Sequence, residues 1–65
     1  MEMEKWKSFR YEYDASGKLL YRARHKNANA DPNSQTWEVE KFNYDEAEQV
    51  VDRKTWIGSW NNKAF

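Results

Sequence analysis

Arg10, Arg22, Arg24 and Lys26 are the residues best placed to do chemistry in this chain. Basic side chains at alternate positions of an extended strand share one face. Such a row can bind a phosphate backbone, another anion or an acidic partner. Glu12, Glu38 and Glu40 fall in the same alternation and supply the competing outcome, cross-strand ion pairs that neutralise the row. A second set is aromatic. Trp6 falls out of phase with Phe9 and Tyr11, Trp56 and Trp60 lie off the Val50/Val51 stripe, and Phe65 stands in a polar tail. They are candidates for an exposed patch that docks a protein partner or a second copy. The competing outcome is that Trp60 and Phe65 fold back to cap the core.

Catalysis has little to stand on. His25 is the single histidine, there is no cysteine, and both glycines are explained by turns. Glu38 and Glu40 share a strand face but have no cleft to separate their pKa values. No catalytic residue, metal ligand or cofactor is expected.

These side chains need elements to hold them. Phe9, Tyr11 and Tyr13 alternate with Ser8, Arg10 and Glu12, which predicts a strand over 6–13. Asp14-Ala15-Ser16-Gly17 follows, with Asp at the start of a type I turn and Gly at its left-handed position. A second strand is then expected over 18–26. The expected register sets Tyr13 against Leu19, Tyr11 against Tyr21, Phe9 against Ala23 and Arg10 against Arg22. Asn27 to Gln35 reads as a polar, mobile loop. Trp37 and Val39 against Glu38 and Glu40 predict a third strand over 36–43, running beside the second. Asp45 followed by Glu48 resembles a capping box. Ala47, Val50, Val51, Lys54 and Ile57 lie at helical spacing, and Gly58 is a natural stop, so a helix is expected over 46–57. The fold class expected is therefore α+β, a three-stranded antiparallel sheet packed on one C-terminal helix.

Two resemblances bear on this outline. A three-stranded sheet with Phe42 shortly before Glu46-Ala47 at a helix start resembles the AP2-like arm-binding domains of phage integrases. That resemblance implies a sheet laid in the DNA major groove, with Arg10, Arg22, Arg24 and Lys26 as the contacts. A rival reading aligns YDASGKLLYR (13–22) with YDEAEQVVDR (44–53). The first copy resembles the YD repeat of large bacterial toxin shells, a tyrosine-aspartate turn closed by glycine. The second has Glu48 where the first has Gly17, and it predicts no helix.

Size and charge frame the expectation. Sixty-five residues make one domain, 1–65. A chain this short buries only about 60% of its unfolded surface. Eleven basic residues balance eleven acidic ones, unlike a dedicated nucleic-acid binder. No run is long and apolar enough to predict a membrane span or signal peptide, and the lack of cysteine fits a reducing compartment, so a cytoplasmic protein of a bacterium or phage-infected cell is expected. The function expected is a small non-catalytic module for protein–protein interaction, of the phage inhibitor or accessory sort, with DNA binding through the basic sheet face as the alternative.

Overall fold

The computed structural model describes residues 5–63. Four strands, β1 (Ser8–Tyr13), β2 (Leu19–His25), β3 (Trp37–Tyr44) and β4 (Val50–Gly58), form one antiparallel sheet in the order β1-β2-β3-β4. Among the described residues there is no helix. The fold is all-β, and the α+β expectation is overturned at 46–57. None of the described segments is a helix long and apolar enough to cross a membrane.

The segment expected to be helical is a turn and a strand for reasons written in its residues. Val50, Val51, Thr55, Trp56 and Ile57 are β-branched or aromatic, and such residues fit a pleated surface better than a helix. Asp45 does cap backbone N–H groups, as an N-cap would. Its Oδ1 accepts from the amides of Ala47 (2.9 Å) and Gln49 (3.0 Å), but these close a hairpin. The Asp45 amide donates to the Gln49 carbonyl at 2.9 Å, which seals it. The charge pattern that reads as a capping box is a turn anchor.

The β1–β2 turn is the same device. Asp14 Oδ1 accepts from the amides of Ser16 and Lys18, both at 2.9 Å. The Asp14 amide donates to the Lys18 carbonyl at 2.9 Å. Gly17 sits at φ 93° and Glu48, its counterpart, at φ 63°. Glycine occupies that region without penalty, whereas glutamate is strained there. Both turns also shift register one pair into the ladder. Tyr13 faces Leu19 while Glu12 faces Tyr21, and Tyr44 faces Val50 while Asn43 faces Asp52. Leu20 and Val51 are thus the extra residues of two matching β-bulges.

The first bulge changes the register expected for the hairpin. Tyr13 faces Leu19, but Phe9 faces Arg24, Tyr11 faces Arg22 and Arg10 faces Ala23. The edge strand therefore presents its aromatic side with the arginines and its polar side with the small core. One face of the sheet, here called inner, gathers Tyr21, Ala23, Trp37, Val39 and Trp56. The other, outer face carries Phe9, Tyr11, Arg22, Arg24, Glu38 and Glu40. With extents of 42 × 29 × 19 Å the molecule is a flat slab, and loops must do the covering that a second layer would do elsewhere.

They do so by specific bonds. Trp37 Nε1 donates to the Asp31 carbonyl at 2.8 Å. The amides of Trp60 and Asn61 donate to the Pro32 carbonyl at 3.0 and 3.2 Å. Ala30 and Trp60 pack on the core from these two segments. The 27–35 loop, expected to be a mobile connection, is fastened down as half of the core's lid.

Candidate functional site: the outer face of the sheet

The bulge at Leu20 and the β2–β3 pairing decide which charged groups meet. Arg22 faces Glu40 and Arg24 faces Glu38. Arg22 donates to Glu40 Oε1 through Nε at 3.1 Å and also through its second nitrogen. Arg24 Nε donates to Glu38 Oε1. Glu40 Oε2 reaches Arg53 Nε of β4 at 3.3 Å, so one carboxylate ties three strands. The Arg22 guanidinium also lies over the Phe42 ring at 5.3 Å. Ion pairs held by two hydrogen bonds and backed by a ring are better fixed than single surface contacts.

Around these pairs stand exposed rings. Phe9, Tyr11 and Tyr13 keep 54%, 50% and 57% of their surface accessible. Phe9, Tyr11, Arg22, Arg24, Glu38 and Glu40, with Thr55 of β4, line a groove of about 440 Å³ across the sheet. Large rings beside fixed charges of both signs are the composition of a docking surface: rings supply area with little entropy to lose, and charges supply orientation.

The four basic residues expected on one face are divided. Arg22 and Arg24 are on the outer face in ion pairs. Arg10 lies on the inner side, over the Trp37 ring at 5.7 Å. Lys26 stands over Trp6 at 5.3 Å. The row expected to face a phosphate backbone is thus broken by register and its outer members are matched to carboxylates.

The tryptophans are divided too. Trp6 is half-buried under Arg24, whose guanidinium is 4.1 Å from its ring centre. Trp56 is half-buried against the core, and Trp60 is buried within it. Lys63 pins Trp60 from outside, 4.2 Å above the ring, and reaches Glu12 at 3.1 Å. Of the aromatic candidates, Phe65 lies outside the described residues. The exposed aromatic surface is instead Phe9, Tyr11 and Tyr13 of the edge strand β1. The signal that could have found them was the doubled Leu19-Leu20, matched by Val50-Val51, where a bulge reverses facing.

His25 has a structural task. Its Nδ1 accepts the Asn27 amide at 2.9 Å, so the proton sits on Nε2, which meets Thr36 Oγ1 at 2.6 Å. The turn residue Asp14 has a lowered carboxyl pKa. The Lys18 amide and then the Ser16 hydroxyl hold its carboxyl below the usual carboxylate range. Among the described residues no group of three His, Asp or Glu side chains is placed to hold a metal ion.

A scan against protein-family models finds no match, and searches of curated proteins and of solved structures find none either.

Proposed function

We propose that this protein is a non-catalytic binding module that docks a protein partner on the outer face of its sheet. The observation that carries this reading is the exposed Phe9–Tyr11–Tyr13 row beside the Arg22–Glu40 and Arg24–Glu38 pairs. Three accessible rings on one edge strand of a small domain form the apolar centre of an interface. The ion pairs fix charges of both signs beside it before any partner arrives, which lowers the ordering cost of binding. The partner that fits is an extended or looped protein segment with an apolar anchor flanked by mixed charge.

The test is selection of a displayed random-peptide library on the immobilised protein, followed by binding of the enriched peptides to variants. Peptides that bind the parent and lose at least tenfold on Tyr11→Ala, with the fold intact by circular dichroism, support the reading. Failure to enrich any peptide, or enriched peptides indifferent to Phe9→Ala and Tyr11→Ala, overturns it. A parallel titration with short duplex DNA separates the alternative. Salt-sensitive amide shifts at Arg22 and Arg24 would move the function to nucleic acid.

A further inference from the structure

The two hairpins are copies of one unit, and the likeness runs beyond their turns. At the same offset that matches Tyr13-Asp14 with Tyr44-Asp45, Trp6 matches Trp37, Arg10 matches Lys41, Tyr11 matches Phe42 and Arg22 matches Arg53. β3 corresponds to β1, and β4 to β2. Each contact that β3 makes with β2 therefore defines one that a β1 could make with a β4.

The existing junction is specific. Tyr44 Oη donates to the carbonyl of Leu19 at 2.7 Å. Arg22 covers Phe42, and His25 meets the edge of Trp37 at 5.2 Å. Lys41 lies over Tyr21 at 6.0 Å. Carried over, Tyr13 would reach the Val50 carbonyl and Arg53 would cover Tyr11, whereas Trp6, held under Arg24, does not take the place of Trp37. The position of the Lys41–Tyr21 contact becomes Arg10 against Asp52, an opposite-charge pair. Of the groups for this, Tyr11, Tyr13, Asp52 and Arg53 are exposed and Arg10 is half-buried. Tyr13, the counterpart of half-buried Tyr44, is among the exposed rings of β1. On β4, Val50, Val51 and Ile57 are 50%, 61% and 64% accessible. A long strand with apolar side chains at both ends and one unpaired edge is a template for another strand.

We propose that β4 of one copy of this chain pairs antiparallel with β1 of a second copy, in the register that sets Asp52 against Arg10 and Arg53 against Phe9. The contact is head-to-tail. It leaves a β1 and a β4 unpaired at the ends, so association is open-ended, and the Phe9–Tyr11–Tyr13 row stays open at the free β1.

The chain has no cysteine, so the register can be read by pairs introduced one at a time. Asp52→Cys and Arg10→Cys proteins are mixed and oxidised with glutathione disulfide. Neighbouring antiparallel residues stand at a separation a disulfide can span. The expected product is a mixed dimer, at least tenfold above that from Asp52→Cys with Phe9→Cys, whose side chains point to opposite faces. The unsubstituted protein, examined by sedimentation up to millimolar concentration, should show progressive association. A strictly monomeric protein overturns the proposal. So does association without the Asp52–Arg10 product, or Asp52→Cys linking to itself as readily as to Arg10→Cys.

Discussion

Replacing Glu48 by glycine should make this protein more stable, which is the opposite of what the same change does in a helix. Glu48 holds φ 63° at the closing position of the β3–β4 turn. A left-handed backbone costs a residue with a Cβ about 1–2 kcal/mol. Glycine returns about 0.4–1 kcal/mol of that through a freer unfolded chain. The Glu48–Lys18 contact is 3.4 Å long and its carboxylate is mostly exposed, so losing it removes only about 0.2–0.5 kcal/mol. The balance is a gain of about 0.5 kcal/mol, or a rise in Tm of about 2–4 °C for a domain of this size. In a helix over the same segment the change would cost about 0.5–1 kcal/mol. Thermal unfolding of Glu48→Gly beside the parent, followed by circular dichroism, reads the sign directly. A lowered Tm would refute the argument that this turn copies the one closed by Gly17.

Tyr44→Phe should cost about 1 kcal/mol by removing the half-buried bond to the Leu19 carbonyl, while Tyr13→Phe in the same monomer should change urea unfolding very little. Asp14→Ala should lower Tm at neutral pH, and the gap should narrow in acid. A depressed carboxyl pKa means that its contribution is present above the ordinary carboxylate value and is lost as pH falls through the folded one. Glu40→Gln should cost about 1 kcal/mol, because that carboxylate serves Arg22 and Arg53 together, and the loss should shrink in high salt when unfolding is repeated there.

Strand existence was legible where alternation is long, as at Phe9–Tyr13 and Trp37–Glu40. That Glu38 and Glu40 could neutralise Arg22 and Arg24 was legible too, because it depends only on β2 lying beside β3, but which glutamate meets which arginine was not. The facing of β1 was not legible. An edge strand of a one-layer sheet is half in water on both sides, so aromatic alternation does not say which side is core. One extra residue at Leu20 then decides it. The last strand was misread because Asp45 can satisfy orphan amides at the start of a helix or across a turn. Spacing alone does not distinguish these. The alignment of residues 13–22 with 44–53 did carry the answer, and the missing glycine obscured it. The structure shows that Glu48 adopts the glycine's backbone conformation instead. The covering of the core was hidden for another reason. It rests on backbone carbonyls of Asp31 and Pro32, and carbonyls are common to every residue.

The outer face, the duplicated turns and the edge junction all follow from one register. Cross-strand backbone contacts in the proton NMR spectrum of the labelled protein test it most directly. The account predicts one ladder in which Ala23 neighbours both Arg10 and Val39, and Val39 in turn neighbours Trp56. A ladder that sets Ala23 directly opposite Phe9, or a run of helical contacts through 46–57, would contradict it.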